Sequence, residues 1–147
     1  MQVSVTGIND SSVEDSFFGN VVSRYSRAQA IADGVLIDVT KMAQLVAFAH
    51  PVAMTRAAWS DCVEWTDKDT RPQRFQSESL RLWDVMYMAK RVAKSTRGGL
   101  SPVALFPLWR VPRDGRGKRS RLKVLKMIVG PGDDAEPVIT IMLPSED

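Results

Sequence analysis

The chain contains one cysteine and one histidine, the residue types from which a thiol nucleophile and its general base are usually drawn. Cys62 follows His50 by twelve positions, and Pro51 together with a predicted helix start at Thr55 separates them. A catalytic thiol needs a nearby base or a helix N-terminus to stabilise its thiolate. Cys62 instead falls late in that predicted helix, beside Val63, where a buried structural cysteine is the more frequent case. We therefore predict no catalytic residue in this pair.

A cluster of carboxylates at Asp133, Asp134 and Glu136 offers oxygen ligands for a hard cation. Calcium-binding loops supply more ligands at alternating positions than this short turn contains, so a solvated acidic turn is the better interpretation. Acid–base catalysis would need a second carboxylate, and the sequence does not bring together the candidates for it, which are Asp38, Asp61, Glu64 and Asp84. The chain also has no Walker pattern and no G-x-G-x-x-G. We predict no bound metal, no cofactor and no enzymatic activity.

Positive charge is concentrated in residues 110–126, although the net charge of the whole chain is only +3. This segment holds one acid, Asp114, and eight bases, which are Arg110, Arg113, Arg116, Lys118, Arg119, Arg121, Lys123 and Lys126. Residues 133–147 reverse the balance, with five acids and no base. If the last two predicted strands pair, the acidic turn lies at the opposite end of the second strand from the basic hairpin tip.

The basic segment has two interpretations. A basic hairpin that contains glycines can follow a phosphate backbone, because neutralising phosphates releases counterions and strengthens binding at low salt. Phe106 and Trp109 lie beside the segment and can supply base stacking. Alternatively, the charge keeps a loop soluble or contacts a protein partner, while the strand lysines protect a sheet edge from aggregation. In either case the predicted binding residues are Trp109, Arg110, Arg113, Arg116, Lys118, Arg119, Arg121 and Lys123.

Several short elements are predicted before residue 66. Ser26 is a good N-cap for a helix over 27–33, and Gly34 supplies the left-handed position that ends it. The β-branched run 35–39 follows, either as a buried strand or as an extended link. Two more helices are predicted, one from Thr40 or Lys41 to about Ala49, stopped by Pro51, and one over Arg56 to Trp65, capped by Thr55.

The strongest helix signal lies in residues 77–97, after a polar connector over 66–76. Apolar residues recur there at helical spacing, namely Leu82, Val85, Met86, Ala89, Val92 and Ala93. This spacing places them on one stripe, as expected for a helix that packs against a core. Trp83, with Leu80 and Tyr87, can widen the stripe toward a second partner surface.

After Gly99 the pattern changes to that of strands. Three are predicted, over Val103–Val111, Leu122–Val129 and Val138–Met142, joined by a hairpin connection with two glycines and by a turn at Pro131–Gly132. The prolines of the first strand suit the edge of a sheet. The predicted fold class is therefore α+β: a helical N-terminal two-thirds packed on a C-terminal three-stranded antiparallel β-meander.

The length of 147 residues fits one domain. We assign residues 1–23, with three acids and no base, to a loosely held arm with a candidate strand over 3–8, and residues 24–147 to a single α+β domain. A lone cysteine cannot close an intramolecular disulfide, which fits a reducing compartment. Because neither a secretory signal nor a stretch of about 20 apolar residues is present, we expect a cytoplasmic protein without a membrane partner.

Distinctive motifs occur through much of the chain, at residues 25–39, 51–55, 81–85, 130–133 and 137–144. Together they cover most of residues 25–147 and resemble an uncharacterised family of small bacterial proteins, a domain of unknown function that is frequently carried on plasmids, phages and integrative elements. The resemblance implies a mobile-element setting and brings no catalytic residues with it. Proteins of this size from that setting often counter host defences or adjust replication and transfer.

We therefore expect a non-enzymatic interaction protein of a phage or plasmid that binds a host protein, such as a defence nuclease complex. A DNA mimic would need an acidic face, which the net charge of +3 disfavours. The alternative is a nucleic-acid-binding accessory factor that uses the basic 110–126 hairpin. A third hypothesis, an unrecognised enzyme, requires a polar pocket in which Asp38, Asp84 or His50 converge. The sequence leaves the oligomeric state open.

Overall fold

A five-stranded mixed sheet organises the chain in the computed structural model, which describes residues 25–73, 75–95 and 102–147. Its strands are β1 Leu36–Asp38, β2 Val52–Thr55, β3 Val103–Arg110, β4 Arg121–Pro131 and β5 Pro137–Met142. They follow the order β1-β2-β5-β4-β3, and all neighbours are antiparallel except β2 and β5, which are parallel. The predicted arm over 1–23, with its candidate strand, lies outside the described residues.

The predicted architecture, a helical two-thirds packed on a three-stranded meander, is wrong. β3, β4 and β5 do form an antiparallel meander, but β1 and β2 extend the sheet beyond β5. β1 lies within the run 35–39, for which the sequence predicts either a buried strand or an extended link. At the position of β2 the sequence predicts no strand. β2 is only four residues long and pairs with β5, more than eighty positions later, so its strand character depends on a partner that is remote in sequence.

The described residues form five helices, which are α1 Arg27–Ala32, α2 Thr40–Leu45, α3 Arg56–Cys62, α4 Asp67–Thr70 and α5 Glu78–Ser95. The start of α1 is confirmed, because the Ser26 side chain accepts a hydrogen bond from the Gln29 N–H and the Gln29 side chain accepts one from the Ser26 N–H. Its end is confirmed as well, since Gly34 has a φ of 78°. α4 lies inside the predicted polar connector, and the predicted end of the last helix near Arg97 lies outside the described residues.

α2 ends at Leu45 and not near Ala49 as predicted. The cause is Ala47, whose backbone adopts the left-handed region with a φ of 71°. The N–H of Phe48 then donates to the carbonyl of Ala43 at 3.0 Å. This turn brings Phe48, which is 6% exposed, into the core.

The core lies between one face of the sheet and helices α2, α3 and α5. The predicted stripe of α5 is confirmed, because Val85, Met86 and Ala89 are completely buried and the helix packs on β3. α3 contacts β1, β2 and β5, whereas α5 packs on β3, so the two helices lie toward opposite edges of the sheet. Within the described ranges, no helix combines the length and the apolar character that a membrane crossing requires.

Candidate functional site

The side chains of β3 alternate between the core and the opposite, outer face of the sheet. The inward side chains are almost completely buried, namely Phe106, Leu108 and Arg110. The outward side chains are all exposed, namely Val103, Leu105, Pro107 and Trp109. A half-buried strand normally turns polar residues toward solvent. β3 is therefore unusual in carrying apolar side chains on both faces.

β4 continues this apolar surface. Its register places Leu122 opposite Trp109 and Val124 opposite Pro107, and both β4 side chains are exposed. The exposed apolar side chains on this side of the hairpin form a patch, here named the open face, which consists of Val103, Leu105, Pro107, Trp109, Leu122 and Val124. Lys126 and Ile128 lie on the same side, opposite Leu105 and Val103, and are half-buried. Trp109 is the most exposed of its large side chains, at 65%.

The rest of the outer face is covered. α1 lies over β5, where the Arg27 guanidinium donates to the Thr140 hydroxyl at 2.8 Å and to the Ile139 carbonyl at 2.7 Å. The carboxylate of Asp133, in the β4–β5 turn, accepts from the first backbone N–H groups of that helix at Arg27 and Ala28. Of the parts of the chain that the structure describes, none covers the outer face at β3 and at the start of β4, the two strands that carry the basic segment.

Pro107 makes the free edge of β3 a poor site for pairing with another strand. The carbonyl of Pro102 accepts from the Val129 N–H, so it points toward β4. Because backbone groups alternate along a strand, the nitrogen of Pro107 points the other way, to the free edge of the sheet. Proline has no N–H to donate there, which hinders the addition of another strand at this edge. A partner has better access to the face than to the edge.

Arg110, one of the predicted binding residues, belongs to the core side of β3. Its side chain is almost completely buried, donates to the carbonyl of Arg81 at 3.0 Å and lies 3.7 Å from the carboxylate of Asp84. Burial lowers its pKa, while Asp84 favours the charged form. The alternation of the strand turns this side chain away from the open face, so a surface partner does not reach it.

Arg113 is tied to the helices. Its Nε lies 2.9 Å from the carboxylate of Asp69, and its Nη1 lies 3.5 Å from Glu64 and 3.2 Å from the Ser60 carbonyl. Burial acts to raise the pKa of Asp69, but hydrogen bonds from Thr66 and the Arg113 guanidinium outweigh it and lower that pKa. Arg113 thus joins the hairpin to α3 and α4.

Three further bases of the segment also have partners. Arg121 lies 3.6 Å from Asp114, and Lys123 lies 3.2 Å from Asp61 in α3. The ammonium of Lys126 donates to the backbone carbonyl of Glu146 near the C-terminus. The basic segment of the sequence is therefore partly neutralised in the fold. The acidic turn does not contribute to this, because Asp133 binds α1 at the far end of β4, as the strand pairing predicts.

The remaining three bases lie in the loop that connects β3 to β4. Arg116, Lys118 and Arg119 are exposed, and none of them forms an ion pair with a described residue. We name these three residues the cationic loop. It adjoins the open face at Trp109, because the last two residue pairs of the hairpin are Trp109 with Leu122 and Arg110 with Arg121.

Gln73, which the sequence analysis did not identify, organises this loop. Its side chain is buried, and its amide nitrogen donates to the carbonyls of Pro112, at 2.9 Å, and Gly117. Its amide oxygen accepts from the Gly115 N–H at 3.2 Å. A glutamine in a polar connector gives no sequence signal for such contacts, because the loop it binds lies about forty positions later. Asp114 completes the arrangement by accepting from two backbone N–H groups, those of Arg116 and Gly117, and these bonds lower its pKa. The bond from the Arg116 N–H, two residues after Asp114, is one that aspartate side chains commonly form in turns.

Arg81 anchors the other side of the hairpin and also escaped the sequence analysis. It is 1% exposed, and its guanidinium donates to the carbonyls of Val63 and Val111 and lies 4.9 Å from the centre of the Trp65 ring. Burial lowers its pKa to about 10, so it remains a cation at neutral pH. The signal that points to it is its place four positions before Val85, which puts a base on the buried side of α5.

The other candidate residues are dispersed. Cys62 is completely buried, and burial raises the pKa of its thiol to about 11. Asp38 accepts from Thr40, whereas Asp84 pairs with Arg110, so these two carboxylates serve different elements. Among the described residues, no group of three or more potential ligands is arranged to hold a metal ion. The predicted second surface of α5 is exposed, and there Trp83 stacks on Tyr87 with ring centres 4.9 Å apart.

Comparison with known proteins gives a family but no described relative. No curated protein and no solved structure matches the chain. A family model described as a family of unknown function, DUF6573, matches residues 13–147, nearly the whole length. The chain therefore belongs to this family of unknown function.

Proposed function

We propose that the chain is a non-enzymatic interaction domain of a mobile genetic element, and that it binds a host protein through the open face. The observation that carries this proposal is the exposed apolar patch on β3 and β4, with Trp109 65% exposed at its end. Exposed apolar patches on otherwise ordinary surfaces usually mark interaction sites, and tryptophan is enriched among the residues that dominate binding energy. A defence nuclease complex is the host target that the mobile-element resemblance favours.

The charge next to the patch defines the partner further. The cationic loop adjoins Trp109, so a complementary surface carries apolar side chains opposite the strands and negative charge opposite the loop. The apolar patch supplies most of the affinity in such an interface, while the charges set orientation and association rate.

A nucleic acid is the second candidate, favoured by one observation: an exposed indole lies in the same hairpin as three cations that form no ion pair with a described residue. A base can stack on Trp109 while the loop contacts phosphates. Against it, five of the eight bases in residues 110–126 are held by the fold. A dedicated nucleic-acid surface carries a larger excess of free positive charge.

The proposal is tested by affinity purification from host cells with three tagged forms of the protein. These are the wild type, Trp109→Asp on the open face, and Leu45→Asp as a matched control at a residue that is 75% exposed on α2. We expect one host protein to be retained by the wild type and by the Leu45 variant and lost with Trp109→Asp. The recovered protein is then purified, and its Kd is measured for each form.

Two outcomes contradict the proposal. If the partner binds Trp109→Asp as tightly as the wild type, the open face is not the docking surface. If a gel-shift salt series shows tight, steeply salt-dependent binding of an oligonucleotide that Trp109→Asp abolishes, the nucleic-acid function replaces the protein-binding one.

A further inference from the structure

The loop between β3 and β4 is held more firmly than an exposed connection requires. Gln73 bonds three of its backbone groups, those of Pro112, Gly115 and Gly117. Asp114 bonds two more, at the N–H groups of Arg116 and Gly117, 2.9 Å and 2.8 Å away. The chain path through residues 112–117 is thus determined by side chains as well as by the β3–β4 pairing.

These hydrogen bonds connect the loop to a part of the chain that is remote in sequence. Gln73 lies in the connector between α4 and α5, so the loop is held by an element outside its own hairpin. Its side chain is 5% exposed, which protects these hydrogen bonds from competition with water. A loop that is ordered in the free protein does not have to be ordered on binding, and this reduces the entropic cost of association.

The three long side chains that this loop exposes are all positively charged. Arg116, Lys118 and Arg119 are cations within four positions and have no described acidic partner. Arginine guanidinium groups bind carboxylates through paired, parallel hydrogen bonds, and such recognition depends on fixed geometry.

The surroundings of the loop favour carboxylates over a polyphosphate chain. The carboxylates of Asp61, Glu64, Asp69 and Asp114 lie in or beside the loop end of the hairpin, where they pair with Arg113, Arg121 and Lys123. A long nucleic acid would have to pass these acids, whereas a short acidic segment needs only the three cations at the tip. The small number of free charges fits the shorter ligand.

We infer that Gln73 is a positioning residue that fixes the cationic loop for contact with a carboxylate-rich segment of the partner protein. This inference rests on the proposed function, because it assigns the chemistry of the partner at the Trp109 end of the open face. Gln73 touches no ligand itself and acts through the backbone of residues 112–117.

The experiment measures binding of a fluorescent peptide that alternates glutamate and leucine, with a glutamine–leucine peptide of the same length as its neutral reference. Gln73→Met keeps the side-chain length and removes its hydrogen bonds. Gln76→Met, in the same connector, is the matched control, because among the described residues the Gln76 side chain bonds only its neighbour Phe75. The triple variant Arg116→Gln, Lys118→Gln and Arg119→Gln removes the charge and leaves Gln73 in place.

We expect Gln73→Met to weaken binding of the glutamate peptide by roughly 3–10-fold, with an unchanged dependence on salt, because the three cations remain. Hydrogen exchange at Gly115 and Gly117 is expected to accelerate in the same variant. Gln76→Met should match the wild type in both measurements. The triple variant should bind the glutamate peptide no better than the neutral one, at any salt concentration.

Asp114→Ala provides a second test that does not disturb a buried residue. It removes two bonds to the loop and also one negative charge, so electrostatics alone would strengthen binding of the glutamate peptide. A weaker affinity in this variant therefore supports the role of loop geometry.

Each contrary result has a separate meaning. Wild-type affinity in both Gln73→Met and Asp114→Ala, with accelerated exchange, overturns the positioning role. Wild-type affinity in the triple variant overturns the role of the cations, and tighter binding of single-stranded oligothymidylate than of the glutamate peptide overturns the assigned ligand. Loss of the host partner only with the loop variants, and not with Trp109→Asp, contradicts the proposed open-face function while leaving this inference intact.

Discussion

The guanidinium Nε of Arg113 lies 2.9 Å from the carboxylate of Asp69, although 44 positions separate the two residues along the chain. This contact changes the meaning of the basic segment. Eight bases that stand close together in sequence are distributed in space, and Arg113 serves the junction between the hairpin and α4. A run of basic residues therefore predicts a charged surface patch only from those residues that form no ion pair in the folded protein.

Substitution of Arg113 by glutamine should lower the free energy of unfolding by about 1–2 kcal/mol, because it leaves two partly buried carboxylates without their cation. Those carboxylates are Asp69 and Glu64. Urea denaturation measures the change. Arg116→Gln is the control, since Arg116 is exposed and forms no ion pair within the described ranges, and it should alter stability by less than about 0.5 kcal/mol. Equal effects of the two substitutions would contradict the structural role of Arg113.

Acid should destabilise the protein through Asp69. Its folded-state pKa lies below the ordinary value of 3.8, so the folded state favours the ionised carboxylate. The resulting stability is fully present above 3.8 and is lost as the pH falls through the lower folded-state value. Urea midpoints measured across this acidic range should therefore fall more steeply for the wild type than for Asp69→Asn. Parallel curves for the two proteins would show that Asp69 does not couple folding to pH.

Cys62 should not react with thiol reagents in the native protein at neutral pH. The side chain is completely buried, and its pKa of about 11 keeps the thiol protonated. Ellman's reagent in increasing urea provides the measurement, with tryptophan fluorescence recording unfolding in parallel. We expect the two transitions to coincide. Rapid labelling without urea would reveal an accessible thiolate instead.

Replacement of Asp133 by alanine should destabilise α1 by about 1 kcal/mol, the usual effect of losing a side chain that caps a helix. Asp133 accepts from the N–H groups of Arg27 and Ala28, at 2.7 Å and 3.0 Å. Faster hydrogen exchange confined to the first turn of α1 would report the loss. Asp134→Ala, at the neighbouring exposed position, should leave that exchange unchanged.

Local signals predicted individual elements, although the predicted architecture is wrong. Ser26 and Gly34 mark the ends of α1, and the apolar spacing of Val85, Met86 and Ala89 identifies the buried side of α5, because these features depend on residues a few positions apart. Such local signals do not predict β2. Its three apolar residues become a strand by pairing with β1 on one side and with β5 on the other, and no local pattern reports the contact with β5.

The candidate site shows the same limit. The sequence identified the segment that contains the cationic loop and the exposed Trp109. It did not separate Arg116, which is exposed, from Arg110, which is buried, because strand alternation and the position of the core decide between them. Gln73 escaped notice because its partners lie in a loop that only the folded chain brings to it.

The position of β5 has a consequence for synthesis. β5 leaves the ribosome after the other four described strands, yet it stands in the middle of the sheet, between β2 and β4. Until it emerges, the β1–β2 pair and the β3–β4 hairpin have no common strand to join them. Completion of the sheet therefore waits until residues 137–142 have been translated, and a nascent chain cut short before that point exposes both unfinished edges to chaperones and proteases.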